Sequence, residues 1–325
     1  MATLDQTAMP KAGVRRFNFR LESVVVLIVL VVAMSFLSPY FLSVANFLNI
    51  LLATSVIGVL ALGATFVICA AGIDLSLGSV LALAGIVGSL AMNKLGMPWF
   101  VGALGCLAAG ALAGAISGLL IIRARIPAFI ATLGMLSVAR GVALVLSSGK
   151  PVYGLPAPFV FLGQGRVFDI VPTPVVIFLI VAGTAHYALA YTRFGKYALV
   201  IGDNETAARA MGVRVERHRL WLYMLSGTFA GLAGLLFTAR VNSGDPTAGL
   251  TYELSAITAA IIGGTNLFGG RGSIFGTVVG ALIMGVLQNG LNLLAVPPYY
   301  QPIATGTVLI LAVWLDQLNR ARSAA

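Results

Sequence analysis

The chain has 325 residues, 59% apolar and only 9% charged, with 20 Lys/Arg against 10 Asp/Glu and a net charge of +10. Soluble domains carry about 25% charged residues, so a water-exposed globule is excluded, and a mean hydropathy of +1.00 makes lipid the solvent. The basic excess would suit nucleic acid, but its placement along the chain assigns it to membrane orientation.

Residues 1–20 hold Lys11, Arg15, Arg16 and Arg20 and read as a basic tail. Residues 23–73 carry no charge. A membrane helix needs about 20 apolar residues, so this run is two spans, divided at Ser38-Pro39-Tyr40. Its start, through Ala33-Met34-Ser35, has the outline of a cleavable signal. The apolar sequence continues beyond, which favours a retained first span. A third span is expected at 75–93, a fourth at 95–122 and a fifth at 126–146, the last carrying Arg140. A Pro/Gly-rich loop at 147–172 precedes a sixth span that ends near Tyr191. A loop at 192–219 leads to a seventh span at 220–239 and an eighth at 250–268. The uncharged run 272–315 is divided by Pro297-Pro298 into a ninth and a tenth. The expected organisation is thus a tail (1–20), a membrane-embedded domain (21–318) and a short tail (319–325).

Lys and Arg favour the cytoplasmic side of short membrane loops. With ten spans and the amino terminus inside, fifteen of the twenty Lys/Arg fall inside and four outside, Arg140 lying within a span. Losing the turn at Asp74 would reverse every later loop and the bias with it. The expected fold class is therefore all-α: a polytopic membrane helix bundle of about ten transmembrane helices, with broken or re-entrant segments and both termini cytoplasmic.

Glycines recur at helix spacing as Gly110/Gly114/Gly118, Gly227/Gly231 and Gly272/Gly276/Gly280, ridges that let membrane helices approach closely. Cys69 and Cys106 sit in apolar runs and read as packing residues. Polar residues interrupt the apolar pattern at three places. Asp74, between Gly72 and Gly78 and followed by Ser76, either caps the next helix at a tight turn or sits on a broken helix lining a solute path. In the second, Gly244-Asp245-Pro246 leads to Glu253, which either serves a helix dipole or stands at a pore mouth. At the far end of that span, Asn266 follows Gly263-Gly264-Thr265, and Asn289 and Asn292 lie in the apolar ninth span. The two asparagines act as inter-helix hydrogen bonders or as solute contacts. The third interruption is the loop 192–219. There Asn204-Glu205-Thr206-Ala207-Ala208-Arg209-Ala210-Met211-Gly212 spells a short free-standing helix with an N-cap, an i,i+4 ion pair and a terminal glycine. It is either a solvated connector or a peg that seats in another protein.

No phosphate-binding loop is present, His186 and His218 are isolated, and no nucleophile–base set suggests itself. No catalytic residue and no metal site are expected, and any energy for transport comes from another subunit or from an ion gradient acting through Asp74.

Several motifs then resemble the permease subunits of bacterial ABC importers of ribose and related monosaccharides. They are Ala61-Leu62-Gly63-Ala64-Thr65 with Gly72-Ile73-Asp74-Leu75-Ser76; Pro127-Ala128-Phe129-Ile130-Ala131-Thr132-Leu133-Gly134; Pro246-Thr247-Ala248-Gly249 with Tyr252-Glu253-Leu254; Gly263-Gly264-Thr265; and Asn289-Gly290-Leu291-Asn292. The likeness covers nearly all of the chain beyond its first twenty residues. Ala71 departs from the Gly or Ser usual there. The resemblance implies that Glu205, Ala207, Ala208 and Gly212, capped by Asn204, form a coupling helix. It also implies an ATP-binding cassette subunit carrying ATP-Mg, a periplasmic sugar-binding protein and a second permease copy as partners. The location implied is the inner membrane, in contact with lipid and not nucleic acid, with no cofactor on this chain. The alternative from the residues is a self-contained secondary carrier or channel.

Overall fold

The computed structural model describes residues 21–324, with side chains at all but 21, 315, 316 and 318–324. The expected basic tail, residues 1–20, lies outside the described residues, as do the side chains of Arg320 and Arg322. Among the described residues the fold is a bundle of thirteen α-helices with two short two-stranded sheets. In order they are α1 (Leu21–Leu37), α2 (Val44–Cys69), α3 (Leu77–Asn93), α4 (Trp99–Arg123), α5 (Ala128–Ser147), α6 (Ala157–Gln164), α7 (Thr173–Tyr191), α8 (Arg193–Asp203), α9 (Glu205–Ala210), α10 (Val215–Val241), α11 (Tyr252–Ile262), α12 (Ile274–Leu293) and α13 (Gln301–Ala324). Prolines set several starts: Pro98, Pro127, Pro156 and Pro172 stand immediately before α4, α5, α6 and α7, where a missing N–H costs nothing.

Six helices, α2, α4, α5, α7, α10 and α12, are long and apolar enough to cross a membrane, and α3 and α11 are shorter apolar helices, as is 22–37. α2 is the central element: every residue from 54 to 70 is buried, as expected of a helix apolar on all sides. α10 packs against α4, α2 and α3. The α4–α10 seam is backbone on backbone. A Cβ added at Gly110 would collide with the carbonyl of Gly227, one at Gly114 with the carbonyl of Tyr223, and one at Gly231 with the carbonyl of Cys106. Two of the three glycine ridges therefore face each other. In the third, Gly276 and Gly280 lie against Gly263 and Ala259 of the α11 segment, while Gly272 precedes α12 and meets the Cys69 thiol. Cys69 and Cys106 are buried and unbridged.

Five of the expected boundaries or connections change. The span expected at 250–268 is helical only from Tyr252 to Ile262, because Thr251 takes a left-handed φ of 65° and Gly264 one of 90°. The span expected at 220–239 starts at Val215 and runs to Val241. The loop 192–219 contains α8 as well as the short helix, and 147–172 contains α6. α13 passes through residue 318 without a break, so the backbone of 319–324 continues a helix. At the rim, β1 (Val152–Tyr153) pairs antiparallel with β4 (Ser243–Gly244), tying the 147–172 segment to the end of α10; β2 (Arg166–Val167) pairs with β3 (Val171–Pro172).

Candidate functional site

α2 stops at Cys69, Ala71 takes φ 56°, and residues 72–76 belong to no helix or strand before α3 begins. Asp74 within this break is only 2% exposed. A buried carboxylate is tolerable only when donors replace its water, and here both oxygens are occupied. Oδ1 accepts from the Ser76 amide (3.0 Å) and hydroxyl (2.6 Å), and Oδ2 accepts from the Ser226 hydroxyl of α10 (2.7 Å). The Tyr223 hydroxyl donates to Ile73 O at 3.2 Å. Ser76 occupies the N-cap position of α3, yet its side chain makes no capping bond. Asp74 instead closes a local Asx turn and fastens the break to α10.

The second break, after α10, returns into the bundle. Gly249 takes φ 68° and packs on the backbone of Gly78, and the Glu253 carboxylate also lies against Gly78. A side chain at Gly78 would strike both. α3 and α11 thus begin side by side inside the bundle, their positive N-terminal ends converging, with Glu253 in the first turn of α11. Asp74, Ser76 and Glu253 share this neighbourhood.

The remaining candidates lie elsewhere. Asn266 folds its own turn: its Nδ2 donates to Gly269 O (2.7 Å) and its Oδ1 accepts from the Phe268 amide (3.0 Å). The turn leans on the end of α2, where the Gly270 amide donates to Cys69 O. The Asn289 Nδ2 donates to Asn46 Oδ1 (2.8 Å), joining α12 to α2, and Asn292 Oδ1 accepts from Gln301 Nε2 (2.8 Å). Both asparagines bond helix to helix.

α9 is a six-residue helix whose cap is in place: Asn204 Oδ1 accepts from the Ala207 amide at 3.0 Å. Gly212, at φ 81°, occupies a left-handed position that favours glycine. Ala208 is fully buried, while Thr206, Ala207, Arg209, Ala210 and Met211 are exposed. Glu205 holds the helix to α10 as well as to itself. Its Oε1 accepts from Arg209 (2.8 Å) and its Oε2 from Arg219 of α10 (2.6 Å); Arg209 also pairs with Glu216. The Arg209 hydrogen bond first, then the Arg219 charge, hold the Glu205 carboxyl below the usual glutamate range.

Three residues that organise these features are not singled out by sequence as their partners. Arg140 reads as a base reaching for the membrane surface; its Nη1 instead donates to carbonyls of the returning loop. Ser226 and Arg219 complete the Asp74 and Glu205 sets, and only tertiary contact shows it. Among the described residues no three His, Cys, Asp or Glu gather into a metal-binding group.

A family model described as "Branched-chain amino acid transport system / permease component" matches residues 46–313. The "Ribose import permease protein RbsC" of Escherichia coli (strain K12) is 45% identical over 303 residues, 91% of this chain and 92% of that protein. The protein of the same name from Haemophilus influenzae is 42% identical over 305 residues, 93% and 94% of the two chains. The "D-allose transport system permease protein AlsC" of Escherichia coli (strain K12) is 40% identical over 308 residues, again 93% and 94%.

Proposed function

The chain belongs to this transport-system permease family, and we propose that it is the membrane-spanning subunit of an ATP-driven importer of a monosaccharide, ribose foremost. The observation that carries this reading is end-to-end identity of 40–45% to permeases named for ribose and allose. It is a multi-pass protein of the bacterial inner membrane and not itself an enzyme. An ATP-hydrolysing subunit and a substrate-binding protein work with it.

The finer reading is as follows. Ten segments cross, nine as the helices α1 to α5, α7, α10, α12 and α13 and one as the broken segment 245–268 that contains α11, with both termini and α9 on the cytoplasmic side. The bias of fifteen of twenty Lys/Arg toward that side supports this. The tail 1–20, the permease domain 21–318 with its inner loop 192–219 and outer loop 147–172, and the tail 319–325 follow from it. α9, through Asn204, Glu205, Ala207, Ala208 and Gly212, seats on the ATPase, which holds ATP-Mg; this chain binds no cofactor. Two copies form the path, and the periplasmic binding protein docks opposite α9. Nucleotide-driven closure of the ATPase displaces α9, and the bundle alternates between outward and inward access. Asp74, Ser76 and Glu253, where α3 and α11 begin, support the path from within, with Asn266, Asn289 and Asn292 fixing the helices around it.

Reconstituted with ATPase and binding protein, the wild type should take up radiolabelled ribose only with ATP. The double substitution Glu205→Arg, Gly212→Leu should abolish uptake while the protein stays folded in the membrane. Full uptake by that variant, or by the chain alone under a proton or sodium gradient, overturns the reading. Asp74, the group an ion-driven carrier would need, spends both oxygens on Ser76 and Ser226, which speaks against such a carrier.

A further inference from the structure

Beside the end of α10 that approaches α9 is a cavity of about 330 Å³, at the small end of the range for ligand pockets, about 300–1,000 Å³. Two breaks in the helices and one face of α10 wall it. The α2–α3 break gives Ala71 and Gly72, the α4–α5 connection gives Arg125 and Pro127, and α10 gives Arg219 and Tyr223. The polar chemistry is of one sign. Two guanidiniums line the space. The first turn of α5 borders it through Ala128, and no side chain caps that turn, so its amides add positive potential. The nearby carboxylates are spent: Asp74 on Ser76 and Ser226, Glu205 on Arg209 and Arg219. Arg125 makes no hydrogen bond or ion pair with any described residue.

We propose that this cavity binds a phosphate-class anion, either the headgroup of an anionic phospholipid of the inner leaflet or free phosphate. Planar guanidiniums are suited to phosphate oxygens, which they bind in pairs of hydrogen bonds. Basic pockets between membrane helices on the cytoplasmic side are the setting in which anionic headgroups are held. The surroundings suit a lipid: Phe129 and Ile130, which follow Ala128 on α5, are exposed and offer acyl chains apolar surface close to the cavity. Because Arg219 lines the cavity and also donates to Glu205, an occupant shares that guanidinium with α9, and occupancy loosens the Glu205–Arg219 link. The proposal places the cavity at the inner leaflet and so rests on the orientation given above, but binding is measured without transport, ATPase or binding protein.

The full chain in neutral detergent is titrated with phosphatidylglycerol or phosphatidylcholine and examined by native mass spectrometry. Retention of phosphatidylglycerol should exceed that of phosphatidylcholine by about tenfold. Arg125→Gln and Arg219→Gln should each remove the preference. In a second arm, thermal unfolding is compared in inorganic phosphate and in chloride at equal ionic strength. Protection by phosphate that disappears in Arg125→Gln, without a phosphatidylglycerol preference, assigns the site to the free anion. Arg125 is exposed, so Arg125→Gln should melt with the wild type in chloride and serves as the folded variant if Arg219→Gln does not fold. Equal retention of both lipids with no phosphate protection overturns the proposal. So does an Arg125→Gln protein that binds like the wild type.

Discussion

Arg140 Nη1 donates to two carbonyl oxygens of one loop, Pro246 O at 2.6 Å and Ala248 O at 2.8 Å. Pro246 and Ala248 are both buried, and a buried carbonyl left without a donor costs about 1–3 kcal/mol. Arg140→Met should lower the melting temperature of the purified protein and open residues 245–251 to protease. Arg140→Lys keeps the charge without the planar fork and should fall between. An Arg140→Met protein that melts and resists protease like the wild type would remove the clamp from the account.

Ser226→Ala takes one of three donors from Asp74. A hydrogen bond to a charged group contributes about 1.5–3 kcal/mol, so the variant should be destabilised by that order in thermal or denaturant unfolding. Asp74→Asn in the Ser226→Ala background should cost less than the two single changes added together, since both act on one bonded set. Additive costs would show that the pair is not coupled.

The α4–α10 seam predicts a contrast between glycines. Gly110→Val and Gly227→Val each drive a side chain into an opposing backbone carbonyl, which cannot rotate away as a side chain can. The cost should reach or exceed the upper end of the usual overpacking range, about 1–3 kcal/mol. Gly134→Ala on α5 and Gly183→Ala on α7 meet nothing within 4 Å and gain helix propensity, about 0.5–1 kcal/mol each. Thermal melts of the four variants check the ordering.

The Glu205 carboxyl titrates below its unfolded value, because Arg209 and Arg219 favour its charged form. Its contribution to holding α9 is therefore complete above the ordinary glutamate pKa of about 4.3 and is lost as pH falls through the lower folded value. Amide exchange across 205–211, corrected for the intrinsic pH dependence, should be flat near neutrality and accelerate on acidification. Glu205→Gln should be fast throughout and lack the acid step. A wild-type step at or above the ordinary value would contradict the assignment.

The helix–membrane character and the short helix of 204–212 are legible in sequence because each rests on local signals: uncharged length, prolines before helix starts, a capping asparagine, an i,i+4 pair and a glycine. Asp74 is legible as an interruption, but its bond to Ser226 spans 152 positions and no local pattern encodes it. Arg140 misleads for the same reason: a lone base in an apolar run looks the same whether it reaches for the membrane surface or for a buried loop. The shortness of α11 is hidden because its apolar flanks continue past the helix, and only the left-handed Thr251 and Gly264 end it.

α10 is unbroken for 27 residues, about 40 Å at 1.5 Å per residue. With no side chains between it and α4 along the glycine contacts, the two form one stiff beam that cannot slide along its own seam. Arg219, near one tip, grips α9, and the other tip runs into the strand and loop that Arg140 pins. A rocking of about 3° around the midpoint would carry the tips about 1 Å in opposite directions. A push on one surface of the membrane is then felt at the other as simple seesaw geometry, with no relay of rearranging side chains between.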